Sequence, residues 1–158
     1  MRAFALTAVA ILALSACSPP AEAPEEPAPA PAPAPVLAGV DLTKPLRARG
    51  TEPFWAVELT GSELVYSGLD RPEQRAPQNP PVIRGTMAVW ESTTGAGNAI
   101  KVTLTATDCS DGMSDLSYPL TAMVVIGEET LMGCAATVSA LDASGESGRA
   151  VDPVQPAG

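Results

Sequence analysis

Six short runs rich in Val, Thr, Leu and aromatic residues, separated by Gly, Pro, Asn and Asp, lie between residues 54 and 136 and are typical of strands. One of them alternates polar and apolar residues, the pattern of a strand with one buried face. In this run, residues 100–107, Val102 lies between the polar residues Lys101 and Thr103. The predicted strands cover residues 54–59, 63–66, 85–91, 100–107, 120–126 and 131–136. Short Gly-containing connections join them into three hairpins. The pattern therefore predicts an all-β domain, a small antiparallel barrel or sandwich of about six strands.

The predicted β domain spans residues 46–138. Within it, residues 69–81 carry four prolines, which predicts a long loop between the first and second hairpins. After residue 138 the chain returns to Ala, Ser, Gly, Asp and Pro. That composition predicts a flexible C-terminal tail over residues 139–158.

An uncharged apolar run over residues 3–14 follows Arg2, which is typical of a secretion signal. The run ends in L-S-A-C, which resembles the lipobox of bacterial lipoproteins and places the cysteine at Cys17. That resemblance implies a signal peptide over residues 1–16 and a lipid anchor on Cys17. A transmembrane helix is disfavoured, because a span needs ~20 residues. An ordinary signal peptide, with Cys17 as an odd thiol, is the other alternative.

Residues 17–45 are predicted to be the lipidated cysteine followed by a disordered tether. Proline alternates with alanine from Pro27 to Pro35, which favours extended backbone without a packed core. Ser18 follows the cysteine. In enteric-type lipoproteins an Asp at that position commonly signals retention in the inner membrane. The resemblance therefore implies an outer-membrane anchor facing the periplasm.

Charge and composition exclude several functions. The chain has 9 basic and 18 acidic residues, a net charge of -9, which disfavours binding to nucleic acid. It contains no histidine, which excludes histidine-based catalysis and histidine zinc sites. We expect no cofactor.

The chain has three cysteines, of which one is the expected lipid attachment site and two are free to pair. With Cys17 assigned to lipid, Cys109 and Cys134 form a pair in an oxidising compartment, which predicts a disulfide. A redox-active or metal-binding pair is the alternative. The wide spacing and the absence of histidine argue against it.

Residues 108–115 read D-C-S-D-G-M-S-D, a segment rich in oxygen ligands that calcium would accept. The spacing does not match an EF-hand loop, because Gly112 is the fifth residue from Asp108 and no glutamate is the twelfth. We favour a turn in which Asp and Ser side chains satisfy backbone amides.

Three motifs together resemble a family of uncharacterised proteobacterial envelope proteins, often described as putative lipoproteins or membrane proteins. They are R-G-T-E-P-F-W at residues 49–55, C-S-D-G-M-S-D followed by Tyr118-Pro119, and G-C-A at residues 133–135. The resemblance covers residues 47–136 and implies an envelope location and a β domain, with no established reaction. The chain has Leu116 where the family commonly has a basic residue.

The candidate binding residues come from these motifs: Arg49, Glu52, Trp55, Asp111, Asp115 and Tyr118. In a structural interpretation, Glu52 pairs with Arg49 or Arg47 at a barrel mouth, and Trp55 or Phe54 plugs one end. In a functional interpretation, Glu52 joins the two aspartates in a carboxylate cluster for a cation or a sugar.

The sequence predicts a membrane-anchored envelope lipoprotein that is a noncatalytic binding or structural module. Its partner would be an envelope protein or peptidoglycan. A small-ligand or metal-ion carrier, using the barrel mouth, is the alternative. Catalysis is disfavoured, because a glycosidase needs two carboxyl groups across a sugar-binding cleft and few aromatic residues here would line one.

Overall fold

The computed structural model describes residues 34–69 and 71–152. Within them the chain forms fourteen strands and one helix, which confirms the all-β prediction. The strands are β1 (Val36–Leu37), β2 (Val40–Asp41), β3 (Leu46–Thr51), β4 (Phe54–Leu59), β5 (Glu63–Gly68), β6 (Gln74–Pro77), β7 (Val82–Arg84), β8 (Met87–Thr93), β9 (Ala99–Thr105), β10 (Cys109–Ser110), β11 (Asp115–Tyr118), β12 (Leu120–Ile126), β13 (Glu129–Thr137) and β14 (Ser147–Arg149), and the helix is α1 (Val138–Ser144). No helix in this part of the chain has the length and apolar character needed to cross a bilayer. The predictions for residues 1–33 and 153–158, including the signal peptide and the Cys17 anchor, lie outside the described residues.

Nine of the described strands form one antiparallel sheet, in the order β6-β5-β4-β3-β13-β12-β9-β8-β7. The three predicted hairpins are present as β4–β5, β8–β9 and β12–β13. The predicted number of about six strands is wrong, because β3, β6 and β7 join the same sheet.

The sheet is curled, so that its edge strand β6 approaches β8 near the opposite edge. Gly95 N donates to Arg75 O at 2.9 Å, and Asn79 Nδ2 donates to Glu91 O at 3.0 Å. Alternate residues of each strand face the inside of the curl. Its largest fully buried side chains include Val57, Leu64, Trp90, Ile100, Leu104 and Ile126. These side chains form the first core.

A second layer covers the outer face of β13. Strands β10, β11 and β14 form a small sheet, in which β11 and β14 are parallel. Together with α1 they bury a second core, made of Leu116, Tyr118, Cys134, Ala136, Ala140, Leu141 and Ala150. Both faces of β13 are therefore buried near its end, and this layer supplies Asp111 and Tyr118 to the candidate site.

The predicted flexible tail is wrong over residues 139–152, which form α1 and β14 and pack in the second core. Thr137 caps the helix, because its Oγ1 accepts a hydrogen bond from Ala140 N at 3.1 Å. Burial of Ala140 and Leu141 then holds a helix of seven residues that is too short to be stable alone.

Two further boundaries differ from the predictions. The predicted tether of residues 17–45 ends earlier, because β1 pairs with β2 and Leu37, Val40 and Leu42 are buried in the first core. The predicted loop of residues 69–81 contains β6, which pairs with β5. Strand β6 lies at the end of the strand order, where a proline at Pro77 is tolerated.

Candidate functional site

A chain of three polar side chains links the main sheet to the second layer. Arg49 on β3 donates from Nε to Tyr118 Oη at 2.7 Å, and its Nη2 also contacts that oxygen. Tyr118 Oη in turn donates to Asp111 Oδ2 at 2.8 Å. Arg49 Nη2 lies 3.8 Å from the same carboxylate oxygen. The arginine is thus held in one fixed arrangement with a phenol and a carboxylate that are far from it in the sequence.

Asp111 organises the loop between β10 and β11. Its Oδ1 accepts hydrogen bonds from Met113 N at 3.0 Å and Ser114 N at 2.9 Å, and its Oδ2 accepts from Ser114 Oγ at 2.8 Å. This is the turn that we favoured from the sequence, with an aspartate satisfying backbone amides. Both carboxylate oxygens are therefore already engaged by the protein.

These hydrogen bonds set the charge of Asp111. Its side chain is only 6 % exposed, and this burial raises its pKa. Hydrogen bonds from Ser114 and Met113 backbone amides, the Ser114 hydroxyl and the Tyr118 phenol outweigh burial and hold the pKa well below that of an ordinary aspartate. The carboxylate is ionised at neutral pH and forms a fixed negative charge beside Arg49.

Tyr118 is fully buried, and its burial raises the pKa of the phenol. The Arg49 hydrogen bond opposes that increase, and the Asp111 carboxylate adds to it. The phenol is therefore protonated at neutral pH, and it donates to Asp111 while accepting from Arg49. It serves as a neutral bridge between two charges.

The predicted disulfide between Cys109 and Cys134 is present. It joins β10 to β13, and so fastens the Asp111 loop to the main sheet. Thr51 makes a second attachment, since its Oγ1 donates to Asp111 O at 3.1 Å. The loop is therefore held at both its side chain and its backbone.

Trp55 lies on the inner face of the curled sheet and is 4 % exposed. Two glycines make room for its indole. A Cβ atom on Gly50 would lie 2.7 Å from Trp55 Cε2, and one on Gly133 would lie 2.9 Å from Trp55 Cζ2. Phe54, its neighbour on β4, faces outward and is 52 % exposed. Trp55 is therefore a core residue at this end of the sheet, and Phe54 belongs to the surface.

A cleft of about 650 Å³ lies beside Arg49. Trp55 and Asp111 also line it, and three large apolar side chains stand around it: Phe54, Leu69 and Met113, which are 52 %, 79 % and 68 % exposed. We call this feature the Arg49 cleft. A smaller cleft of about 290 Å³ lies next to it and includes Glu52 and the disulfide. Arg49, Gly50, Thr51 and Asp111 line both clefts.

Four of the six candidate residues are thus brought together: Arg49, Trp55, Asp111 and Tyr118. Glu52 and Asp115 are exposed, and neither takes part in an ion pair among the described residues. Arg47 pairs with Glu58 at 2.8 Å, not with Glu52. The expected pairing of Glu52 with Arg49 or Arg47 is therefore wrong.

The carboxylate cluster of Glu52, Asp111 and Asp115 is also not formed. In the part of the chain that the structure describes, no three acidic or cysteine side chains converge on a point that would hold a metal ion. Leu116 is 2 % exposed and packs in the second core, where a charge would be costly.

Sequence reasoning missed Leu69 and Met113, two of the three large apolar residues around the cleft. Leu69 follows β5 and Met113 lies in the Asp111 loop, so neither has a strand periodicity to mark it. The available signal was local, a large apolar residue between polar or turn-forming neighbours.

Comparisons of the chain with protein-family models, with curated proteins and with solved structures find no match.

Proposed function

We propose that the protein is a membrane-anchored envelope lipoprotein that acts as a noncatalytic binding module. Its Arg49 cleft takes an apolar segment of another envelope protein. The observation that carries this proposal is the exposure of Phe54, Leu69 and Met113 around one cleft with an arginine in its wall. Exposed apolar residues grouped in this way are typical of interaction sites.

The kinds of residue at the cleft support a protein partner over a sugar polymer. Aromatic residues, methionine and arginine are enriched at protein interfaces, and aromatic and arginine side chains often dominate their binding energy. Phe54, Met113 and Arg49 supply all three types. Binding would bury the Phe54 and Met113 side chains. The hydrogen bonds that link Arg49 to Tyr118 and Asp111 would remain unchanged.

The hydrogen bonds from Arg49 to Tyr118 and from Tyr118 to Asp111 make one wall of the cleft rigid. The Arg49 side chain is 38 % exposed, yet its Nε is fixed by the buried Tyr118 phenol. A side chain that is already ordered loses less conformational entropy when a partner binds. We therefore assign Tyr118 and Asp111 a positioning role and Arg49 a contact role.

The noncatalytic part of the proposal rests on the state of the carboxylates. Asp111 is ionised and engaged by four donor groups, so it is not poised to exchange protons near neutral pH. Glu52 and Asp115 stand apart from it on the surface. A metal-ion carrier is not favoured by any cluster of ligands among the described residues.

In this proposal the curled sheet is a small barrel that serves as a rigid support. The hydrogen bonds from Gly95 to Arg75 and from Asn79 to Glu91 support closure between its edges. Anchoring through Cys17, with the Pro/Ala-rich segment as a tether, places the barrel on the periplasmic side of the outer membrane.

Photo-crosslinking in growing cells tests the binding proposal. A photoreactive residue at Leu69 is expected to capture one dominant envelope protein. The matched control carries the probe at Glu73, an exposed residue that does not line the Arg49 cleft. Equal products from both positions, or capture of peptidoglycan alone, would overturn the proposed partner.

The anchor has a separate test. Cys17→Ala is expected to release the protein from the membrane fraction and to abolish metabolic labelling with a radioactive fatty acid. Ser18→Ala, next to it, is expected to leave both unchanged. Persistence of labelling and membrane fractionation in Cys17→Ala would contradict the lipid anchor.

A further inference from the structure

A second groove, distinct from the Arg49 cleft, lies on the outer face of the sheet across β7, β8, β9 and β12. Val82, Val89, Thr103 and Met123 stand side by side there in successive strands. Its volume is about 480 Å³, within the ~300–1,000 Å³ range of small-molecule sites. We call it the Thr103 groove.

Thr103 is buried although it lies on the outer face of the sheet. It is 7 % exposed, and its hydroxyl has no hydrogen-bond partner among the described residues. A buried hydroxyl without a partner is costly, so such groups call for an explanation. Because Thr103 lines the groove, an acceptor on a bound molecule would supply the missing partner.

The charges in the groove favour an anion. Arg84 and Lys101 line it together with one acid, Glu91, in a chain whose net charge is -9. Lys101 already pairs with Glu91 at 2.8 Å. None of the ion pairs within the described residues includes Arg84, so its guanidinium is available to a carboxylate.

The apolar part of the lining favours a flexible aliphatic chain. Met87 and Met123 are adaptable side chains, and the described residues contribute no aromatic ring to the groove. An added peptide strand is less suitable, because the adjacent edge strand β7 has only three residues and follows Pro80 and Pro81.

We propose that the Thr103 groove binds a free long-chain carboxylate. Arg84 pairs with the carboxylate, Thr103 donates a hydrogen bond to the same carboxylate, whose oxygens are the ligand's only acceptors, and the chain lies against the apolar side chains of the groove. This site is independent of the Arg49 cleft, and either proposal stands without the other.

Calorimetric titration of the chain carrying Cys17→Ser with dodecanoate, below its micelle concentration, tests this proposal. Saturable binding at one site is expected. Arg84→Gln is expected to weaken it about tenfold, because a charge-assisted contact is lost. The matched control is Arg75→Gln, an exposed arginine on β6 that does not line the groove, and it is expected to bind dodecanoate normally.

Thr103→Val separates binding from folding. Removing an unpartnered buried hydroxyl is expected to leave the melting temperature unchanged or raised, and to weaken dodecanoate binding about fivefold. Absence of saturable binding would overturn the proposal, as would equal affinity for the cation dodecyltrimethylammonium. Binding to phosphatidylethanolamine vesicles without binding to monomeric dodecanoate would instead assign the groove to a membrane surface and overturn the proposed ligand.

Discussion

Arg49 and Tyr118 are 69 residues apart in the chain, and Arg49 Nε donates a hydrogen bond of 2.7 Å to Tyr118 Oη. This contact joins the main sheet to the second layer at the wall of the Arg49 cleft. Loss of this hydrogen bond should therefore lower the free energy of unfolding and should also weaken binding of a partner at the Arg49 cleft.

Tyr118→Phe is expected to lower the free energy of unfolding by about 2 kcal/mol, because both charged neighbours lose a partly buried hydrogen bond. Urea unfolding measures the change. Tyr66→Phe is the matched control: Tyr66 is also buried, and no hydrogen bond of its hydroxyl occurs among the described residues. A loss of similar size in both variants would contradict the bridging role of Tyr118.

The lowered pKa of Asp111 predicts a pH dependence of stability. Burial raises that pKa and hydrogen bonds from the Ser114 and Met113 amides more than offset it, so its folded value lies below its unfolded value of ~3.9. The stabilisation is thus fully present above pH ~4 and is lost as the pH falls through the lowered folded pKa.

Asp111→Asn should consequently reduce stability at pH 7 and flatten its decline in acid. Urea unfolding at a series of pH values from neutral to acid measures both slopes. Asp108 and Asp152 also have lowered pKa values, and they titrate in both proteins, so the difference between the slopes isolates Asp111. Parallel slopes would show that Asp111 is not the group responsible.

The glycines beside Trp55 should not tolerate a methyl group. Gly50→Ala is expected to cost at least about 2 kcal/mol of unfolding free energy, because the added Cβ overlaps the Trp55 indole and approaches Met132 O to 2.8 Å. Gly95→Ala is the control, since no atom lies within 4 Å of the position that its added methyl would take, and it should change stability by less than about 0.5 kcal/mol. A well-tolerated Gly50→Ala would contradict the position of the indole.

The disulfide closes a loop with a sequence separation of 25 residues. Chain entropy predicts that replacing both Cys109 and Cys134 by alanine lowers the free energy of unfolding by about 3.5 kcal/mol. Thermal and urea unfolding measure this change. A loss below about 1 kcal/mol would mean that the second core fixes the Asp111 loop without the covalent link.

The parts of the fold that the sequence predicted are those with local signals. In β9 the residues from Ile100 to Thr105 alternate between apolar and polar, because one face is buried in the first core, and β12 is a run of apolar residues interrupted only by Thr121. Strands β6 and β7 were missed because prolines dominate their surroundings, and an edge position that tolerates proline is a property of the whole sheet. Helix α1 was missed because its stability depends on burial of Ala140 and Leu141 against β13.

In the candidate site, too, the local contacts were predicted and the contacts between distant residues were not. The Asp111 turn was predicted, since the carboxylate and the amides that it accepts from are within three residues of each other. The partners of Arg49 were not predicted, because they are Tyr118 and Asp111 from the second layer, whereas the sequence offers a glutamate only three residues away. Contacts between layers depend on topology that the motifs do not encode.

The most direct measurement of the central claim is the yield of the crosslinked partner from a photoreactive residue at Met113, with and without Leu69→Asp. Leu69 is 79 % exposed, so the substitution should leave the melting temperature unchanged while placing a charge in the apolar rim. We predict that the yield of the dominant envelope protein falls at least about fivefold, the loss expected for about 1 kcal/mol of binding energy. An unchanged yield, from a variant that folds normally, would contradict a binding function for the Arg49 cleft.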